Sequence, residues 1–222
     1  LVGSEMCIRD RFIPTETAAE NLKNEGYSDE KKIIFTGDVM YDASLYYSQF
    51  SEEKSTLPVE LMKDDFILCT FHRAENTNNA DRLKGIVDAL NKINEKTQVI
   101  VPLHPRTKKY IEEYGLQLEV SCIEPVGYFE MIELLKKCSL VMTDSGGLQK
   151  EAFFFKKACV TMRDETEWVE LVKGGFNVLS GSSTERILES VEQMTNMQAD
   201  FNDDLYGNGD AGQKIVDALL ND

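Results

Sequence analysis

Ser145-Gly146-Gly147 is the segment whose residue types point most directly to chemistry. It lies in the run VMTDSGGLQKEA, residues 141–152. There an apolar strand ends in Asp-Ser-Gly-Gly and a helix begins at once. Two glycines let an anion approach the backbone closely. A helix N-terminus adds about half a positive charge and several unpaired N–H donors. The segment therefore reads as an anion cradle, with a plain strand-to-helix turn as the alternative. Other reactive types stand at comparable places. His72-Arg73-Ala74-Glu75-Asn76 follows one apolar strand, and His104-Pro105-Arg106-Thr107 follows another. Pro125-Val126-Gly127-Tyr128 and Arg163-Asp164-Glu165-Thr166-Glu167 follow two more. Histidine is the side-chain type that exchanges a proton near neutral pH. Arginine is the type that balances an anion.

The elements that must position these residues alternate along the chain. Short apolar runs at Phe66–Thr70, Val99–Val101, Cys122–Ile123, Leu140–Met142 and Cys159–Met162 read as buried strands. Helical patterns fall at Ala80–Asn94, Thr107–Tyr114, Phe129–Lys137, Gly147–Lys156, Glu167–Val172 and Thr184–Met194. In the first of these, Leu83, Ile86, Val87, Leu90 and Ile93 make one stripe. Continuous apolar strands alternating with amphipathic helices predict a parallel sheet covered on both faces. The fold class is α/β, a doubly wound Rossmann-like domain from about Lys63 to Asp200. Ligands of such sheets bind beyond the strand carboxyl ends, where all five polar loops lie. Upstream, Thr15 or Thr17 can cap a short helix closed by Gly26, with Glu20 completing a capping box on Thr17. Ile33–Phe35 reads as a strand. Ser51–Thr56 with Pro58 reads as a linker. A last helix is expected at Gly212–Leu220.

Composition narrows the function. The 222 residues carry a net charge of -15, which argues against nucleic acid as a partner. No apolar run approaches the roughly 20 residues that cross a bilayer. Five cysteines, without a CxxC pair, read as reduced core thiols of a cytoplasmic protein rather than disulfides or metal ligands. Residues 1–11, LVGSEMCIRDR, resemble a translated sequencing adapter and are expected to be non-native.

Taken in order, several motifs resemble those of the non-hydrolysing UDP-N-acetylglucosamine 2-epimerase family. They are Phe12-Ile13-Pro14-Thr15-Glu16-Thr17, Gly37-Asp38, Thr70 to Asn76, His104 to Thr107, Asp144 to Ala152, Arg163-Asp164 with Thr166-Glu167, and Tyr206 to Ala211. The resemblance runs from about Phe12 to the C-terminus. It implies the C-terminal half of a GT-B fold, with UDP-sugar as substrate and no metal or other cofactor. Residues 12–58 would be a remnant of the N-terminal domain and a linker. Residues 59–205 would be the UDP-binding domain. Residues 206–222 would form a helix that packs on the N-terminal domain. The implied reaction removes the C2 proton, eliminates UDP, and adds it back with a proton on the opposite face. It would serve cell-envelope polysaccharide synthesis.

The resemblance also distributes roles. Ser145, Gly146 and Gly147 would hold the diphosphate through their N–H groups and the Ser145 hydroxyl. Glu151 would accept from the ribose hydroxyls. His72 would be the catalytic group near diphosphate and C2, with Arg73 as a second phosphate ligand. His104 and Arg106 would line the pocket, and Tyr128 and Met131 would lie near the uracil. Arg163 would balance diphosphate charge or pair with Asp144, Asp164 or Glu167. The chain departs from the family pattern twice. Lys150 stands where the family often has an acid, and is expected to face solvent. Trp168-Val169 stands where Arg-Pro is common, which leaves open a related UDP-2,3-diacetamido-uronic acid sugar. A GT-B glycosyltransferase is a further alternative. The resemblance implies a homodimer at full length and little activity for this chain alone.

Overall fold

The computed structural model describes residues 10–27, 32–62, 65–197, 200–201 and 204–221. The expectation for the N-terminal segment lies, for residues 1–9, outside the described residues. The chain divides into two compact units, Ser48–Phe201 and Leu1–Tyr47 with Asn202–Asp222.

The Ser48–Phe201 unit is built on a six-stranded sheet. Its strands are β3 (Phe66–Thr70), β4 (Gln98–Pro102), β5 (Ser121–Ile123), β6 (Leu140–Thr143), β7 (Cys159–Thr161) and β8 (Asn177–Leu179). All neighbours are parallel, in the order β5-β4-β3-β6-β7-β8. The order reverses at β3 and β6, so a crevice opens beyond their carboxyl ends. Alternation along β3 separates two cores: Ile67 and Cys69 face one, Phe66 and Leu68 the other. On the first face pack α5 (Ala80–Asn94) and α10 (Thr184–Thr195). The whole predicted stripe of α5 is buried. On the second face pack α7 (Tyr128–Lys137) and α8 (Gly146–Phe154). This is the doubly wound α/β class expected. The shorter helices α4 (Ala74–Thr77), α6 (Pro105–Glu113) and α9 (Val169–Lys173) complete the connections.

Three expectations change here. Strand β8 was not foreseen, because Asn177-Val178-Leu179 is only three residues long and opens on a polar one. The expected linker instead folds as helix α3 (Ser51–Lys54), anchored by the Ser51 hydroxyl donating to the buried Glu133 carboxylate at 2.6 Å. Cys122 is exposed on edge strand β5 and is not a core thiol. Cys138 and Cys159 are core thiols, and burial pushes both up to about 12.

In the other unit, β1 (Asp10–Ile13) pairs in parallel with β2 (Lys32–Phe35). Helix α1 (Glu16–Asn24) is capped by Thr15, whose extended backbone lets its hydroxyl accept from the Ala18 N–H at 3.2 Å. Thr17 lies inside that helix and forms no capping box. Helix α2 (Val39–Ser48) carries Asp42, whose carboxylate accepts from the Ala211 and Gly212 N–H groups at 3.1 and 2.7 Å. It thereby caps α11 (Ala211–Leu220), placing an anion on that helix N-terminus.

Candidate functional site

β3 and β6 end side by side, with Thr70 opposite Thr143 and their hydroxyls 2.7 Å apart. The Thr143 hydroxyl oxygen also accepts the Ser145 N–H at 2.9 Å. Next in the chain, Asp144 is fully buried. Its carboxylate accepts from the His72 N–H at 3.1 Å, the Arg73 N–H at 3.0 Å and the Asn76 side-chain amide at 3.1 Å. A strand-end acid thus fixes the loop that carries His72. The His72 Nδ1 lies 3.9 Å from the Asp144 carboxylate. Its ring stacks on His104 at 5.6 Å between centroids. His104 is the N-cap of α6, and its Nδ1 accepts the Arg106 N–H at 3.1 Å. In a neutral ring that acceptor role leaves Nε2–H as the remaining donor.

Ser145 is the N-cap of α8. Its own N–H is taken by Thr143, which alters the expected cradle. The N–H groups of Gly146 and Gly147 remain, because the first helical residues have no carbonyl one turn back. One turn on, Glu151 is 9% exposed. Burial pushes its carboxyl above the ordinary range, opposed by a Tyr128 side-chain hydrogen bond and the Lys150 charge. A cavity of about 270 Å³ opens on these groups; His72, His104, Met131, Ser145, Gly147 and Glu151 all line it. Thr70, Pro125 and Val126 are further lining residues.

The remaining predicted residues stand around that cavity rather than on its lining. Gly146 opens α8, and its carbonyl accepts the Trp168 indole N–H at 2.8 Å. Tyr128 is joined to Glu151 by a side-chain hydrogen bond. Arg106 donates to Asn78 at 2.8 Å. Arg73 lies 3.6 Å from the Glu167 carboxylate. Arg163 is buried and donates to Glu167 at 2.6 Å, so of its three possible partners Glu167 is the one found. Asp164 pairs instead with Arg82 at 2.9 Å. Burial pushes Glu167 up, but its own N–H, the Arg163 bond and the two arginine charges outweigh that and hold it low.

Lys150 does not face solvent. It is 6% exposed, and its ammonium sits 4.4 Å from the centre of the Trp168 ring. The aliphatic stem suits burial, and an aromatic face attracts the charge. The organising roles of Asp144, Thr70 and Thr143 were not read from the sequence. The one available signal was a polar residue at the end of an apolar strand beside a glycine pair.

The family described as UDP-N-acetylglucosamine 2-epimerase matches residues 8–220. A Pseudomonas aeruginosa protein, UDP-2,3-diacetamido-2,3-dideoxy-D-glucuronate 2-epimerase, is 51% identical over 94% of this chain and 58% of its own length. A Methanococcus maripaludis UDP-N-acetylglucosamine 2-epimerase homolog is 44% identical over 95% of this chain and 60% of its own. The solved UDP-GlcNAc 2-epimerase of Methanocaldococcus jannaschii, in complex with UDP-GlcNAc and UDP, superposes with a TM-score of 0.85. It is 39% identical, over 95% of this chain and 60% of that one. The chain thus spans about 60% of the length of these relatives.

Proposed function

We propose, for a chain that belongs to the UDP-N-acetylglucosamine 2-epimerase family, that it carries the UDP-holding side of a UDP-sugar 2-epimerase active site. The observation that carries this reading is the convergence of Gly147, Ser145, His72 and Glu151 on one cavity at the sheet's switch point. The Gly146 and Gly147 N–H groups and the Ser145 hydroxyl hold the diphosphate. Glu151 accepts from the ribose, and Met131 packs near the base. Arg73 and Arg163, both bound to Glu167, add positive charge beside the turn.

In this reading the C2 proton of the sugar is removed, and the electron pair forms a C1–C2 double bond. The C1–O bond breaks and UDP leaves with its bonding pair. UDP then adds back at C1 while C2 receives a proton on the opposite face. Charge grows on the departing diphosphate, so donors already aimed at it lower the barrier. His72 donates to that oxygen or assists the proton at C2. UDP-N-acetylglucosamine is the first substrate reading. The 51% identity to an enzyme named for a 2,3-diacetamido glucuronate supports that sugar as the second. The same reading gives residues 206–222 a place against the N-terminal domain, which the Asp42 cap on α11 supports. It also makes the full-length protein a cytoplasmic homodimer. Among the described residues, no helix is long and apolar enough to cross a membrane.

Calorimetric titration of the 222-residue chain with UDP tests the proposal. Binding that weakens at least tenfold in Glu151→Ala supports it. No heat of binding at millimolar UDP overturns it.

A further inference from the structure

Both departures from the family pattern, Lys150 and Trp168, meet at the phosphate turn. The Trp168 indole N–H donates to the Gly146 carbonyl, and the ring face carries the Lys150 ammonium. Neither contact is loose. The Trp168 N–H is held by the Thr166 hydroxyl oxygen at 3.2 Å, and that hydroxyl donates to Gln149 at 2.7 Å. Gln149 in turn donates to the Ser145 carbonyl at 3.2 Å. Residues 166–168 are therefore tied to α8 by two hydrogen bonds and by the Lys150–Trp168 contact. The two segments lie close together: a Cβ on Gly146 would lie 3.3 Å from the Glu167 carboxylate and 3.6 Å from the indole nitrogen.

A trans peptide is planar, with its carbonyl and N–H pointing in opposite directions. The Gly146 carbonyl, already an acceptor within α8, takes the indole as a second donor, and a peptide held this firmly on its carbonyl side keeps the Gly147 N–H on the other side, where Gly147 lines the cavity. We propose that Trp168 is a positioning residue for the phosphate turn: its indole N–H reinforces the direction of the Gly147 N–H, and its ring holds Lys150 beside Glu151. This deepens the reading of the turn as a diphosphate site and rests on it. A bound phosphate polarises the Gly147 N–H, and through the shared peptide it strengthens the indole–carbonyl hydrogen bond. Trp168 thus senses the diphosphate without touching it.

Trp168 is the only tryptophan in the chain, so tryptophan emission reports the surroundings of this indole. Titrating the 222-residue chain with UDP should change that emission, and uridine at saturation should not. Trp168→Phe keeps a ring for Lys150 and deletes the N–H. It should lower the ratio of UDP to uridine affinity by about fivefold to tenfold, the scale of one hydrogen bond, with uridine binding retained. Calorimetric UDP binding without a change in emission overturns the inference while leaving the proposed function standing. So does a Trp168→Phe variant that binds UDP and uridine as before, or loses both equally. Failure of the wild-type chain to bind UDP at all overturns the proposed function and this inference together.

Discussion

Asp144 shows how one buried carboxylate can organise a site it need not touch. Two backbone N–H groups from the β3–α4 loop and the Asn76 side-chain amide of α4 end on it. Asp144→Ala removes the partner of all three; the Asn76 amide is buried, and a buried unsatisfied donor costs about 1–3 kcal/mol. We expect a loss of about 1–3 kcal/mol in urea unfolding, together with weakened UDP binding. Glu151 carries the pH dependence. Burial raises its folded pKa, so protonation favours the native state. That contribution is present below the unfolded pKa and is lost as pH rises through the raised folded value. In the proposed ribose role an ionised carboxylate accepts from two hydroxyls better than a neutral carboxyl does, so UDP affinity should climb with pH through the same window, above the ordinary carboxylate range. Glu151→Gln should remove this component from both profiles, which melting temperatures and UDP titrations across pH would show. His72 and Ser145 were legible as strand-end residues and Glu151 only through the family resemblance; all three line the one cavity. Lys150 was misread, since only the fold reveals that an indole closes over it.

Among the elements, α5 shows where pattern and contact part. Its apolar stripe and its Asn79 cap follow from spacing and residue type. Gly85 does not. Propensity alone makes Gly85→Ala stabilising by about 1 kcal/mol. A Cβ there would lie 2.2 Å from the Ser182 carbonyl, and the Thr184 hydroxyl donates to the Gly85 carbonyl at 2.9 Å. Backbone cannot yield as a flexible side-chain tip would. Gly85→Ala should therefore destabilise the protein despite its propensity, read as a lower urea midpoint at unchanged slope. A gain in stability would show that α5 and the 182–184 segment can separate freely. Strand β8 and helix α3 were missed for a related reason. Each is three or four residues long, below what periodicity can resolve, and each is held by long-range partners.

At the scale of the molecule, the chain covers about 60% of the length of these relatives, and the proposed function assigns it the leaving-group side of the reaction. We expect the 222-residue chain to bind UDP yet to leave UDP-N-acetylglucosamine unchanged. Proton NMR at C2 in deuterated buffer would check this, and incorporation of deuterium would show that the chain holds a competent base. Large apolar side chains stand exposed in the Leu1–Tyr47 and Asn202–Asp222 unit, among them Tyr46, Leu219 and Leu220.

The sequence by itself determined the α/β class, the parallel sheet and the set of strand-end loops that carry polar residues. Those properties follow from local periodicity and from glycine and proline placement, which act over a few residues. Tertiary structure alone decided that Asp144 anchors the His72 loop, and that Trp168 clasps Gly146 while covering Lys150. Each of these joins groups from different loops. Such choices depend on how neighbouring strands bring their ends together, which no local pattern encodes.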